Sequence, residues 1–430
     1  MGKKTDFEQT ADEKIVWFAI VGTYGFWVLG AVYLVAPVIG WVLFVRLLSR
    51  QLGEARGPAE QLPLPLLAWA AAMGVMLLSL VIGHLDMGLG LGKLIKSSIG
   101  WAKGWALLAL FPLVARLEIR PAVIYRAACV VCRYTVLFFP LFVAAWVLSL
   151  PTTLYVSPLK LVGGPGPEFF SVSLYELDPG SGAPRWRLFT PWAPALGMLG
   201  NLYFLCALEE QDTRWRRWGI AGSLLMIVIS KSRLAMLCCI GLYGLRWVFR
   251  YYRHPGTYFL ATPVLLLAGF LGGSIVEKVL GGVEAIKSAR ADSTRVREAL
   301  ADIAIERWWN EAIWWGHGIV ERGPHMVEYM PIGSHHTWYG LLFVKGLVGA
   351  LALMAAFLVS LGALLPWVAR LPSARLGVSI LCLLLFYTLG ENLEILAYLF
   401  WPGLILLGRA HIESRAGAFA MQNGRQPQAI

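Results

Sequence analysis

The chain has 430 residues, 58% of them hydrophobic and only 15% charged, with 19 Trp, 20 Phe and 15 Tyr. Soluble domains carry about 25% charged residues, and a mean hydropathy of +0.63 leaves too little polar surface to face water. This excludes a soluble globular protein and predicts an all-α polytopic membrane protein. The net charge of +11 is ascribed to cytoplasmic Lys and Arg, not to nucleic-acid binding.

Residues 1–14 mix Asp, Glu and Lys, and the apolar run behind them is far longer than a signal h-region, so no cleavable signal is expected. Apolar stretches at about 15–30, 33–48, 63–83, 98–116, 127–150, 191–209, 217–231, 233–250, 257–275, 337–365, 376–390 and 393–408 predict about 12 transmembrane helices. An even number puts both termini on one side. More than half of the 37 basic residues, Lys3, Lys14, Arg46, Arg50, Arg120 and Arg126 among them, then fall on the side of the N-terminus. The positive-inside rule makes that side the cytoplasm, for the tail 1–14 and for the tail 409–430 alike. The six cysteines lie in or beside apolar runs, and Cys129-Val-Val-Cys132 reads as helix packing, not as a redox or metal motif.

Two segments on the outer side stand apart in one membrane domain. In 151–190, Phe170–Leu177 and Arg185–Phe189 flank Asp-Pro-Gly-Ser-Gly (178–182), the pattern of a small hairpin. The segment 276–336 is too long for a plain connection and is expected to carry function. Within it, Glu284–Ile313 has helical composition, and Trp308, Trp309, Trp314 and Trp315 suit the headgroup interface.

Charges at the outer ends of spans need a reason. Ser230-Lys231-Ser232-Arg233 reads either as an anion grip, with Arg233 binding phosphate bidentately and Lys231 adding a point charge, or as a tight turn with two snorkelling cations. Asp292-Ser293-Thr294-Arg295-Val296-Arg297 opens a helix and brings two guanidinium groups to its N-terminus, or else forms a solvated basic face. Ser334-His335-His336-Thr337 lies where the chain re-enters the membrane. A neutral imidazole there suits a general base toward a hydroxyl; the alternative is an interfacial His pair bonded to its own loop. No carboxylate or thiol stands beside the pair at metal-ligand spacing, so no metal and no cofactor are expected. Glu391, Asn392 and Glu394, in the last short outer turn, are placed to orient a basic partner.

From His335 the chain reads His-His-Thr-Trp-Tyr-Gly-Leu-Leu-Phe-Val-Lys-Gly-Leu-Val-Gly, with Gly346 and Gly349 eleven and fourteen residues on. This resembles the His-(Asn/Ser/Gln)-x9-Gly-x-x-Gly signature of the O-antigen ligase family, whose superfamily includes O-antigen polymerases and bacterial O-oligosaccharyltransferases. Trp315-Gly316-His317-Gly318 is similar to the superfamily's Gly-x-Gly element, Ser293-Thr294-Arg295 to its Ser-Gly-Arg, and Ser232-Arg233 to its Ser-Arg. His336 stands where the family has Asn, Ser or Gln, and Thr294 where it often has Gly; the spacing to both glycines favours His335.

The resemblance implies a GT-C-like glycosyltransferase in the bacterial inner membrane, with its active site facing the periplasm. It would transfer O-antigen from undecaprenyl diphosphate to a sugar of lipid A–core. His335 would be the catalytic base, with Arg233 and Arg295 gripping the diphosphate and Lys231, Arg297, Arg187 and His336 as lesser substrate contacts. Partners are then the two lipid-linked substrates and membrane lipid, with no nucleic acid. A polymerase, an O-oligosaccharyltransferase and a flippase of a lipid-linked anion are the rival readings. Two lipid-borne substrates also predict a cleft open sideways to lipid and roofed by the long loop.

Overall fold

The computed structural model describes residues 9–51, 61–178, 182–251, 291–333 and 336–422. The chain is mostly helical (76%). The helices are α1 (Ala11–Val21), α2 (Thr23–Val28), α3 (Val32–Gln51), α4 (Leu64–Asp86), α5 (Leu91–Lys103), α6 (Leu107–Val114) and α7 (Pro121–Val147). After a strand-bearing segment come α8 (Ala193–Glu209), α9 (Thr213–Ile229) and α10 (Arg233–Tyr251). The last four are α11 (Ala291–Glu311), α12 (Thr337–Leu364), α13 (Pro372–Thr388) and α14 (Leu393–Gln422).

Seven stretches among the described residues are long and apolar enough to cross a membrane: Val32–Arg50, Leu64–Asp86, Leu91–Leu117, Pro121–Val147, Arg233–Tyr251, Thr337–Trp367 and Leu393–Met421. Ala193–Glu209 and Pro372–Thr388 are apolar but shorter. The protein is therefore an all-α membrane protein. The span expected at 257–275 lies outside the described residues.

Three expected spans are broken, each at a glycine, and the third, in α12, is described with the site below. The first divides at Gly22 into α1 and α2, and Gly30, at φ +64, turns the chain into α3. The one expected at 98–116 divides at Gly104, where a Cβ would stand 2.6 Å from the Glu394 side chain, into an amphipathic α5 and a buried α6.

Helices pack through small residues, as they must where lipid removes the hydrophobic drive between them. Gly219 and Gly222 of α9 lie against Cys129 and Cys132 of α7; a Cβ on Gly222 would meet the Cys132 carbonyl at 2.2 Å. Cys129 and Cys132 are free and buried, and their spacing serves this contact. On the other flank the Trp69 indole of α4 donates to Ser360 of α12 at 2.8 Å.

Between α7 and α8 the chain forms two small antiparallel pairs. β1 (Thr153–Val156) pairs with β2 (Ser171–Ser173), and β3 (Glu176–Leu177) pairs with β4 (Pro184–Arg185). The second pair flanks the Pro-Gly turn read in the sequence; residues 179–181 at its tip lie outside the described residues. The first pair had no signal beyond Thr-Leu-Tyr-Val.

Candidate functional site

The site is organised by a break in α12. Gly346 leaves the helix at φ +67. The carbonyls of Phe343 and Val344 accept the backbone N–H groups of His317 (2.8 Å) and Gly318 (3.0 Å), and the N–H groups of Leu347 and Val348 donate to the carbonyls of Ile313 (2.8 Å) and Trp314 (3.2 Å). Every backbone group exposed by a break inside a membrane needs such a partner. The fit is tight: a Cβ on Gly346 would lie 2.2 Å from the Trp314 carbonyl oxygen, and one on Gly316 2.5 Å from the Gly346 nitrogen. Gly316-His317-Gly318 and Gly346, far apart in sequence, are thus two halves of one joint.

His317 fastens the joint. It is buried, stacks on Phe343 at 4.2 Å, and bonds the Phe343 carbonyl (3.0 Å) through Nδ1 and Glu311 (2.8 Å) through Nε2. Hydrogen bonds from Arg307, aided by His317, hold the Glu311 carboxyl down to about 2.

Beside the joint lies a cavity of about 1610 Å³. Drug-sized sites run to roughly 300–1,000 Å³, so this one has room for a ligand the size of several sugars. One wall is α5, through Gly92, Lys96, Gly100 and Lys103. The strand segment adds Glu168, Glu176, Arg185 and Arg187, and α11 adds Arg297. Met330 to Gly333 close it from the loop, α12 supplies Thr337, Gly340 and Lys345, and the last turn supplies Glu391, Asn392 and Glu394.

The structure gathers some of the expected site residues and leaves others aside. Arg187 and Arg297 line the cavity. Arg187 is buried and already engaged: it donates to the Pro191 carbonyl and to Ser171 (2.7 Å), and pairs with Glu176 at 3.2 Å. Burial pulls its guanidinium below the ordinary arginine value, against the field of Glu176. It is a fixed part of the wall. Arg297 is exposed into the cavity and acts electrostatically on Glu391.

Lys231, Arg233, Arg295 and His336 are not among the cavity-lining residues. Ser230 and Ser232 serve the turn itself, through bonds to the Ile227 carbonyl (2.7 Å) and the Ala235 N–H (3.3 Å), with Lys231 at φ +50. That turn nevertheless abuts the site. The Trp186 N–H donates to the Ile229 carbonyl (3.3 Å), and Leu234 packs on Gly390, each contact one residue from a cavity group.

Ser334 and His335 lie outside the described residues; Gly333 and Thr337, on either side, both line the cavity. His336 is half-buried and stacks on Tyr339 at 4.1 Å, with burial pulling its imidazole below the ordinary value. Thr337 holds the last turn, donating to the Glu391 carbonyl (2.6 Å) and accepting from the Leu393 N–H (3.1 Å). Glu391 is buried and takes a bond from the Trp192 indole (3.0 Å). Desolvation pushes its carboxyl up to about 7, with Arg297 and Trp192 opposing.

Lys345, Lys96, Lys103 and Arg185 were not singled out as site residues in the sequence. Lys345 had one signal, as the only charge in a 28-residue apolar helix. Among the described residues, no group of three or more His, Cys, Asp or Glu side chains stands together as a metal site.

A scan of the chain against protein-family models finds no match, and no curated protein matches it.

Proposed function

We propose that this protein is an O-antigen ligase of GT-C-like architecture in the bacterial inner membrane, acting on the periplasmic face. It transfers O-antigen polysaccharide from undecaprenyl diphosphate to a sugar hydroxyl of lipid A–core. The observation that carries the reading is the large cavity beside the broken helix. Its wall includes Gly333 and Thr337, two residues to either side of His335, and the cation Arg297, and the Gly-x-Gly and Gly346 elements of the motif set meet as one joint beside it.

The chemistry is a direct displacement. The acceptor hydroxyl oxygen attacks the anomeric carbon, the bond from that carbon to the diphosphate oxygen breaks, and the configuration inverts. His335 takes the hydroxyl proton, and the diphosphate leaves with the electron pair. Negative charge grows on the leaving group, and cations fixed in advance stabilise it best. Arg297 faces the cavity for that task; Arg233 and Arg295, which do not line it, act where a bound polyprenyl chain brings its headgroup out to them. The sugar–diphosphate bond is already activated, so the reaction uses no nucleotide and proceeds without a metal.

The test is the lipopolysaccharide ladder of a strain lacking this chain, restored with wild type or with His335→Ala at equal expression. Bare core, with polymer accumulating on undecaprenyl diphosphate and no rescue by His335→Ala, is the expected result. Core carrying a single O-unit would make the protein a polymerase. An unaffected ladder, or full rescue by His335→Ala, would remove the ligase reading or the base. Abolition of purified transfer by EDTA, with recovery on adding a divalent ion, would overturn metal independence.

A further inference from the structure

The cavity holds a second cation that the mechanism above does not use. Lys345 sits at the break in α12, one residue before Gly346, and is only 3% exposed. It lines the cavity, and among the described residues no hydrogen bond is made to its ammonium. Glu394, on the first turn of α14, acts on it through space. A lysine inside a membrane span is costly and marks a ligand path by default. Here, among the described residues, no contact ion pair meets that cost, and the side chain lies on the wall of the cavity.

A second observation points the same way. On α5, Gly92, Ile95, Lys96, Ile99, Gly100 and Lys103 all line the cavity. Their spacing of three and four residues makes one continuous helical face. No residue of α5 is buried, and Leu91, Ile95 and Ile99 are 70%, 53% and 50% exposed. The helix is a thin wall whose cavity-lining face carries both apolar (Ile95, Ile99) and basic (Lys96, Lys103) side chains. Lys103 is already fixed to the carbonyls of Val162 (3.1 Å) and Gly163 (3.0 Å), which ties the wall to the strand segment. Lys96 is exposed toward the cavity.

The cavity therefore has two cationic poles. Arg297 faces Glu391 at one, and Lys345 faces Glu394 at the other; the two acids are three residues apart, one turn of chain. We infer that Lys345, with Lys96, forms a second anion subsite that takes a phosphate of a lipid-linked substrate arriving along α5. The inference rests on the proposed transfer reaction for the kind of lipid, and on the cavity alone for the site. An ammonium suits this place because it binds phosphate as a point charge with three rotatable donors. Glu394 holds the ammonium in place while the site is empty and competes with the incoming phosphate.

The test uses the full chain in nanodiscs, with binding read for undecaprenyl diphosphate, for lipid A–core carrying its phosphates, and for phosphatidylglycerol. Lys345→Gln is expected to weaken one of the first two by about tenfold or more, the loss of a charge-assisted bond, and to leave phosphatidylglycerol unchanged. Glu394→Gln should tighten the same ligand. Which lipid responds assigns the phosphate to donor or acceptor. Should Lys345→Gln misfold, Lys345→Met with Glu394→Gln removes both charges and is read instead. Unchanged binding of both lipids, or an equal loss for phosphatidylglycerol, would overturn the subsite. Arg297→Gln serves as the separate control. If Arg297→Gln weakens donor binding while Lys345→Gln weakens neither lipid, the ligase reading stands and the second subsite falls. If both variants bind the donor as wild type and transfer is absent, the ligase reading itself falls.

Discussion

The two ends of the helix bundle use charge differently, although the cavity end also holds ion pairs such as Arg187–Glu176 in its wall. At the end formed by the start of α1, the end of α3, the start of α7 and the end of α8, acids and arginines are closely matched. Asp12 meets Arg46 (2.5 Å) and Arg50 (2.6 Å), Glu13 meets Arg120 (2.6 Å), and Glu210 meets Arg126 (2.9 Å). Glu209 pairs with Arg246. At the other end the chain leaves about 1610 Å³ open, and Arg297 and Lys345 face Glu391 and Glu394 across it without contact. Charges used up in pairs hold helices in register; charges kept apart around a cavity are available to a ligand. Substitutions should therefore affect stability at the first end and binding at the second.

The largest expected effect belongs to the joint beside the cavity. Gly346→Ala sets a Cβ against the Trp314 carbonyl at a positive φ, with no flexible side chain to give way. A destabilisation above about 3 kcal/mol is expected from strain and overpacking together. Thermal unfolding in detergent should show little folded protein; a variant that melts like wild type would mean the break is not built as described. Glu13→Gln comes next. Glu13 accepts from the Arg120 side chain and main chain and from the Thr10 N–H, as the acid of a helix-capping box. Arg120 is half-exposed, so the expected loss is about 1–2 kcal/mol. Transfer by the folded fraction should be unchanged, and a selective loss of transfer would erase the contrast between the ends.

Much of this division was legible in the sequence, and the unread part has physical causes. Composition and apolar run length gave the membrane fold, because bilayer thickness imposes a length that residue counting detects. The Pro-Gly turn at 178–182 and the helical composition before Trp308 were local signals, and paired strands and α11 stand there. The breaks at Gly104 and Gly346 were not foreseen, since each is set by a neighbour distant in sequence, and the local break at Gly22 was not read either. Lys345 and α5 were missed for a related reason. A lysine in an apolar run carries no spacing signal of its own, and its place on a cavity wall is set by the fold. Arg187 was read as a lesser substrate contact; in the structure it is engaged by Ser171, Pro191 and Glu176, partners no spacing rule identifies.

At the cavity end, Arg297→Gln should weaken donor binding about tenfold or more with an unchanged melting profile, because its guanidinium is exposed and ties no element down. Arg297→Lys should recover part of the affinity, since a point charge replaces only the Coulomb part of a bidentate grip. Full recovery would show that fork geometry does not matter here.

The smallest effect concerns pH, and its sign follows from Glu391. Burial pushes this carboxyl up to about 7. Below that pH it is mostly neutral, and Arg297 presents its full charge to the cavity. Above it the carboxylate forms and offsets part of that charge. Donor affinity should thus fall as pH rises through about 7, by a factor of a few at most, because Arg297 is open to solvent and screened. Glu391→Gln should keep the low-pH affinity at all pH values. Transfer has the opposite dependence on the proposed base, since His335 must lose its proton to act. Binding and turnover measured on one preparation should diverge above neutrality, with turnover at saturating donor still rising while affinity declines. If Glu391→Gln keeps the wild-type slope in binding, the titrating group lies elsewhere. The acid facing Arg297 would then be a structural partner, as at the other end of the bundle.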